Sequence, residues 1–288
     1  MFKKAERKQA RLRLALTGPS GSGKTYSALQ LAIGLGGPIA VIDTEHESAS
    51  LYADLTDFDV MGLSAPYSPE RYIEAIKAAE AGDYSTLIID SYSHEWVGSG
   101  GCLEINDTIA KQRYKGNTWS AWNETTPRHR KLVDTILTSP LHIICTMRSK
   151  TETVQGEGKK ILKLGMKSEQ RDGSDYEFTV VLDLLHDGNV AVATKDRTRL
   201  FDQPEVVSPD TGRRLLAWLN DGKSQADLQA AALDDALSKI PITETMQELQ
   251  SVFSAAYRVL EQSPHLLAQL NAAKDQRKYE LTPQEQSA

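Results

Sequence analysis

Cysteine is scarce in this sequence: its 288 residues include only Cys102 and Cys145. Two thiols without paired spacing build neither a disulfide framework nor a zinc site. Cys145 lies in an apolar stretch, as a small buried thiol does, and a reducing, cytoplasmic setting is the expectation. Long apolar runs are missing too. None approaches the ~18 residues that a membrane span needs. The basic start, Met1-Phe2-Lys3-Lys4-Ala5-Glu6-Arg7-Lys8, is not followed by an apolar segment, so it is not expected to be a secretory signal. Repeats of solenoid length are absent. A hydrophobic fraction of 40% and a charged fraction of 25% describe an ordinary globular chain. Its length fits one α/β domain of about 200 residues and a smaller appendage.

The modest net charge of −6 conceals an uneven distribution. Residues 111–171 hold 13 Lys/Arg against 5 Asp/Glu, a net of +8, which leaves −14 for the rest. Residues 1–13 are +5 by themselves. An acidic protein with basic segments still binds nucleic acid, because phosphate contacts are local. A solvated basic face without a partner is the other reading.

What is present begins with Gly18-Pro19-Ser20-Gly21-Ser22-Gly23-Lys24-Thr25, which fits G-x-x-x-x-G-K-[ST] throughout. Glycines let successive N–H groups turn into one concavity that cradles phosphate oxygens. The following helix adds its N-terminal dipole and unpaired N–H groups. Lys24 brings a charge to the β- and γ-phosphates, Thr25 offers a hydroxyl to Mg²⁺, and Tyr26, which opens the helix, completes the candidate nucleotide-binding stretch. The context fits: Leu12–Leu16 alternates as a strand, and Tyr26–Leu35 reads as an apolar helix.

Ile39–Asp43 and Thr86–Asp90 are apolar runs that each end in an acid, the pattern of parallel strands buried on both faces. Asp90 is the candidate metal ligand, carried to the carboxyl edge of the sheet beside the loop that ends the first strand. Asp43-Thr44-Glu45-His46-Glu47 is a second acidic cluster at a strand end. Glu45 is the choice for orienting water, with Glu47 the alternative and Asp43 a residue that finishes the strand or caps the next turn. His46 is expected to face solvent.

Pro69–Ala81, Leu103–Tyr114 and Trp122–Leu137 read as helices, and Leu141–Cys145 as a fourth strand. Residues 147–175, polar and glycine-spaced, read as a long mobile loop with a hairpin at Lys160–Leu164. Tyr176–Leu185 and Val190–Thr194 form a strand pair joined by His186-Asp187-Gly188-Asn189, and Thr211–Leu219 a closing helix. From Asp221 the composition shifts to Ala, Gln and Leu, with 6 Lys/Arg against 10 Asp/Glu. Helical spacing recurs at Ser224–Ser238, Glu244–Gln262 and Pro264–Tyr279. The organisation expected is a basic N-terminal arm at 1–11, an α/β core at 12–222 with a mainly parallel sheet and antiparallel edge strands, and a small helical C-terminal region at 223–288.

The segment IAVIDTEHESASLYADL resembles the RecA recombinases, as does LIIDS, down to the Ser after the Asp. IIDSYSHEW, HIICTMRSK, LGMKSEQRDGSDYEF and ATKDR extend the likeness over about residues 12–202. More narrowly, the chain resembles RecA-like core P-loop ATPases of phage recombination and single-strand-annealing modules. That resemblance implies a Mg²⁺-dependent ATPase, stimulated by DNA or assembly, that binds single-stranded DNA. It makes Glu45 the residue that activates water and Asp90 the metal-binding acid. It makes Thr146 or Arg148 the sensor of γ-phosphate, in place of the family's Gln. It turns Lys195 and Arg197 into a basic finger for a neighbouring subunit's nucleotide, hence a homo-oligomer, ring or filament. The loop with Lys159, Lys160, Lys163, Lys167 and Arg171 becomes a DNA-binding loop. It has no aromatic residue before Tyr176, so binding there would be largely electrostatic. Trp96, Tyr114, Trp119 and Trp122 are assigned to core or interface packing. The tail, with AAKDQRKYEL, resembles helical segments of phage recombination proteins and implies docking to an annealing protein or a single-strand-binding protein, in the cytoplasm of the host cell if phage-encoded. Three rivals stand beside this reading: a nucleotide-gated DNA- or partner-binding module with incidental turnover, a small-molecule P-loop kinase, and a replicative helicase core, for which no second DNA-unwinding domain is legible.

Overall fold

A computed structural model describes residues 4–155 and 161–282. Contacts divide the chain into two compact units. One spans Arg11–Leu219; the other joins the N-terminal residues up to Ala10 to those from Asn220 onward.

The larger unit is a mainly parallel sheet covered on both faces. Its strands are β1 (Arg13–Gly18), β2 (Ile39–Asp43), β3 (Asp59–Gly62), β4 (Thr86–Asp90), β5 (His142–Gln155), β6 (Ile161–Ser168), β7 (Val180–Leu184), β8 (Val190–Asp196) and β9 (Glu205–Val206). They run in the order β3-β2-β4-β5-β1-β7-β8-β9, with β6 paired to β5 alone. Pairs from β3 to β7 along this path are parallel; β7–β8, β8–β9 and β5–β6 are antiparallel. This is the mixed α/β architecture expected, antiparallel edge and helical C-terminal region included.

Period-two alternation sorts the strand residues onto two cores. Leu14, Leu16, Val41, Ile88, Ile144 and Leu182 face one, which is filled by helix α1 (Lys24–Leu35) and α6 (Pro209–Asn220). Ala15, Ile42, Leu87, Ile89, Ile143 and Cys145 face the other, against α2 (Pro69–Ala81) and α5 (Thr118–Thr138). Strands β1, β2 and β4 are buried along their whole length, and β2 and β4 read as continuous apolar runs ending in an acid. Helix α1 meets α6 backbone to backbone at Gly34 and Gly212. A Cβ on Gly34 would lie 2.0 Å from the Pro209 carbonyl oxygen and 2.7 Å from Gly212 Cα. Glycine is a poor helix former, and only its missing Cβ permits this crossing.

Residues 147–175 are not the long mobile loop expected. β5 continues far past the sheet and pairs with β6 as an antiparallel ribbon. A backbone ladder needs no apolar face, so the ribbon left no hydrophobic period in the sequence. Two further elements went unread. Strand β3 lies at the edge with every residue exposed, so burial wrote no pattern on it. Helix α3 (Ser93–Val97) is short, and α4 (Cys102–Arg113) follows it after one glycine-rich turn.

The smaller unit contains α7 (Gln225–Lys239), α8 (Met246–Leu260) and α9 (Pro264–Leu281) around Leu233, Ala236, Leu249, Leu260 and Leu270. Ser224 and Asp227 form a reciprocal capping box at the start of α7. Residues 4–10 belong here: Gln9 N–H donates to the Lys223 carbonyl at 3.1 Å, Lys223 N–H to the Arg7 carbonyl at 3.0 Å, and Arg7 pairs with Asp221 at 2.8 Å.

Candidate functional site

At the carboxyl edge of the larger unit's sheet, β1 ends at Gly18 and the glycine loop begins. A Cβ at Gly18 would lie 2.4 Å from Ser22 Oγ and 2.8 Å from the Leu184 carbonyl oxygen. Gly21 and Gly23 take left-handed φ values of 76° and 82°, a region that only glycine adopts without strain. Gly23 caps α1 without a side chain, so the first N–H groups of the helix remain available to an anion. Lys24 folds back over the loop, and its ammonium donates to the carbonyls of Gly18 (3.0 Å) and Pro19 (2.8 Å). Burial lowers its pKa, while the charges of Asp90 and Glu45 act the other way. The β7–β8 turn lies against the same loop. A Cβ on Gly21 would come within 3.4 Å of His186 Nε2, and one on Gly23 within 3.3 Å of the Asn189 side chain.

Asp90 ends β4 beside the glycine loop, with β5 running between β4 and β1. Strand order is set by long-range pairing that two separate apolar runs do not reveal. The inserted strand brings Thr146 level with the acid. Asp90 Oδ2 accepts from Thr25 Oγ1 at 2.5 Å, and Oδ1 accepts from Thr146 Oγ1. Only 2% exposed, Asp90 has its pKa raised by burial first, with the two hydroxyl bonds opposing. A hydroxyl and a carboxylate oxygen in contact at the mouth of a phosphate loop are the hard oxygen donors that Mg²⁺ takes.

Around the end of β2 the acids divide their work. Asp43 Oδ1 accepts from Glu45 N–H at 2.6 Å and Oδ2 from Ala49 N–H at 3.0 Å. It therefore caps the following turn, Ser48–Tyr52. Glu45 reaches towards β5, where Arg148 Nε and Nη2 donate to its Oε1 at 2.9 and 2.8 Å. His46 and Glu47 are exposed. Thr44 Oγ1 ties β2 to the segment after β4: it accepts from Ser91 N–H at 2.8 Å and bonds His94 Nδ1 at 2.7 Å. His94 stacks on Tyr67, and burial is the first cause of its lowered pKa. Tyr26 and Tyr52 meet edge to face at 6.0 Å, a pairing that sequence reasoning missed for Tyr52.

The remaining candidates lie elsewhere. Lys195 and Arg197 sit at the end of β8, level with the start of β7 and hence towards the amino ends of the parallel strands, away from the glycine loop. Lys195 Nζ donates to the carbonyls of Asp175 (2.9 Å) and Tyr176 (2.5 Å); Arg197 is exposed. Lys159 and Lys160 lie outside the described residues, and Lys163 belongs to β6. Lys167 pairs with Asp172 at 2.8 Å. The Arg171 guanidinium stands over the Trp122 ring at 5.9 Å. Trp119, assigned above to packing, is 86% exposed. Its position at the start of α5 carries it off the core that the rest of that helix covers.

A buried hub joins these parts. Glu95 Oε1 accepts from Cys102 Sγ and His129 Nδ1, both at 3.0 Å, and Oε2 from Gln170 Nε2 at 3.2 Å. Among the described residues, Glu95, Cys102 and His129 are the one cluster of metal-ligating atoms within 4.8 Å of one another. Burial pushes the Cys102 thiol well up, so it stays protonated and serves as a donor. Gln170 also donates to the Tyr92 carbonyl at 3.1 Å. The foot of the β5–β6 ribbon is thus bonded to the segment that follows Asp90.

A solved structure, that of the RadB recombinase, aligns with 68% of this chain and 86% of its own at 18% identity and a TM-score of 0.38. No curated protein matches the sequence. The family model described as AAA domain matches residues 10–222, and that span contains the glycine loop, the Asp90 strand and every strand of the sheet. Together with the phosphate-binding geometry at Gly18–Thr25, this match places the protein among nucleotide-binding P-loop proteins: the chain belongs to the AAA domain family.

Proposed function

We propose that this protein binds ATP with Mg²⁺ at the carboxyl edge of its sheet and hydrolyses it, and that turnover serves single-stranded DNA in recombination or annealing of the phage-module type. One observation carries the reading: Asp90 receives the hydroxyls of Thr25 and Thr146 on its two oxygens, while Glu45 stands at the adjoining strand end. A loop that only grips phosphate needs neither acid. Phosphoryl transfer to water needs a metal ligand and a group that orients the nucleophile.

In this reading the α1 N–H groups and the loop hold the phosphates. Lys24 exchanges its two carbonyl contacts for the β- and γ-phosphates. Thr25 and Asp90 hold Mg²⁺, which neutralises charge on the phosphate oxygens. Tyr26 and Tyr52 offer aromatic surface to the base. Glu45 accepts a proton from water, and for that Arg148 must release it. Arg148 then turns to the γ-phosphate, so the start of the β5–β6 ribbon reports the nucleotide state. Lys195 and Arg197 lie too far from their own loop, since four strand residues alone span about 13 Å. They serve a neighbouring copy, which makes the active form a homo-oligomer. The helical C-terminal unit is the candidate dock for an annealing or single-strand-binding protein.

The test is the steady-state ATPase rate with and without an oligonucleotide, across protein concentration and salt. The reading expects a rate per subunit that climbs with both DNA and concentration. A rate that is detectable but indifferent to both would overturn DNA coupling and the trans-acting finger together. The Glu45–Arg148 ion pair also favours a second reading, a nucleotide-gated binding module in which hydrolysis is incidental. Oligonucleotide affinity measured with ADP and with a slowly hydrolysed ATP analogue separates the two. A large difference in affinity, without DNA-stimulated turnover, selects the gate.

A further inference from the structure

We infer that the face formed by α3, the start of α5 and the segment after β6 is a base-stacking subsite for single-stranded DNA. It deepens, and rests on, the DNA-binding reading above.

A groove of about 850 Å³ opens between these three segments. Trp96 and Trp122 line it as a stacked pair, ring centroids 5.4 Å apart and planes within 16° of each other. Trp119 stands at its rim with 86% of its surface exposed. A large aromatic ring in water is costly to maintain, since burying it gains roughly 1.5–3 kcal/mol. An indole held beside an indole pair is a platform for a flat, apolar ring.

The charges around it select what that ring is attached to. Arg130 and Arg171 line the groove, and neither makes an ion pair among the described residues. Asp172 lines it as well, but Lys167 pairs with its carboxylate at 2.8 Å. The surface left over is aromatic and cationic, complementary to bases joined by phosphates and ill-suited to an acidic-poor apolar peptide. Stacking platforms along a positive groove are how single strands are held without sequence preference. The location agrees: Arg171 lies three residues beyond the end of β6, so a strand following the basic ribbon meets Arg171, whose guanidinium stands over Trp122, and then the exposed ring of Trp119. Binding is therefore not purely electrostatic, as the ribbon alone would make it. A fraction of it survives salt.

The experiment compares a fluorescently labelled 30-residue oligothymidine with a backbone of equal length lacking bases, by anisotropy, at low and high salt. Wild-type protein should prefer the oligothymidine, and the preference should grow as salt rises. W119A should lose about tenfold in oligothymidine affinity with no loss for the abasic backbone. W119F, which keeps an aromatic face, should recover most of it. R130A/R171A should weaken both ligands. Trp119 is exposed, so W119A is expected to fold; a melting curve checks it. Equal loss on both ligands with W119A, or no loss at all, overturns the subsite while leaving DNA binding in place. A W119A protein whose oligomeric state changes while its base preference persists shows that the indole belongs to an interface between copies, and overturns it too. If wild-type protein binds neither ligand, it is the underlying DNA reading that falls.

Discussion

Two cations are held by backbone carbonyls at opposite ends of β1, and they are built for opposite purposes. At the start of the strand, Arg13 is 6% exposed and its guanidinium donates to the carbonyls of Leu12 and Leu141 (both 2.7 Å), Leu137 (3.2 Å) and Ser139. Those oxygens include the open end of α5, where carbonyls lack helical partners and the dipole is negative. Both terminal nitrogens of Arg13 are engaged there, while its buried Nε has no partner among the described residues, and burial lowers its pKa to about 10 without removing its charge at neutral pH. At the far end, Lys24 is only half-buried and takes two carbonyls of its own loop. A rigid fork that satisfies four oxygens is a fixture. A single ammonium on a flexible stem, resting on the backbone of an anion-binding loop, is a group waiting for a better acceptor. The comparison teaches that buried positive charge alone does not mark a site; what matters is whether its present partners exhaust it.

Substitutions at the two ends should therefore dissociate activity from stability. K24A should lower ATP turnover by about 10³-fold or more, because the charge it removes develops its value on phosphate. Its melting temperature should move by less than about 3 °C. Undiminished phosphate release would sink the assignment of the loop. R13A should do the reverse, costing about 3 kcal/mol or more in denaturant unfolding because it leaves several buried carbonyls unpaired. R13K should recover only part of this. If R13A unfolds like wild type, the fixture is ornamental and the comparison fails.

The Arg13 end also predicts a pH effect. His142, at the start of β5, accepts the Leu12 N–H on Nδ1 at 3.0 Å. Burial, then the charges of Arg11 and Arg13, hold its pKa down to about 4, below its ordinary 6.5. Between those values the unfolded chain binds the extra proton. Stability is then complete above pH 6.5 and is lost as pH falls through 4, by up to about 2–3 kcal/mol. Melting temperatures from pH 7 to 4.5 should show this slope, and H142Q should flatten it. At the nucleotide end the smallest effect is expected from T146V. It keeps the side-chain shape, removes one donor from Asp90 and should slow turnover about tenfold; an unchanged rate would make Thr146 a spectator.

Much of the fold was legible because burial on both faces writes long apolar runs. β2 and β4, and the acids that end them, stand out for that reason, while β1 shows as a short alternation. The glycine loop was legible because left-handed φ and close backbone approach leave no other residue type. The exposed edge strand β3 and the ribbon β5–β6 were not, since backbone pairing without a buried face imposes no period. The site divides in the same way. Glu45 and Asp90 are announced by position at strand ends, and Thr25 by the glycine-loop motif. The Glu45–Arg148 pair joins residues 103 apart in sequence, and Gln170 reaches Glu95 across 75. Such partnerships follow from strand order and cannot be read from spacing. Trp119 and Trp122 lie three apart and look like one helical stripe, yet the first is 86% exposed and the second stacks on Trp96.

Glu95 limits how this protein can change. Its carboxylate receives donors from α4, from α5 and from the foot of the ribbon, and it offers acceptors only. Replacement by Gln would put an amide donor among donors, and replacement by Ala would strip Cys102 and His129 of their acceptor and leave Gln170 only the Tyr92 carbonyl. Any lineage that altered the ribbon's foot at Gln170, or the α5 face at His129, would have to keep a donor aimed at the same oxygens. The segment after Asp90 and the surface proposed to meet DNA are thus bound to vary together, and a variant improved at one would be expected to carry its compensation at the other.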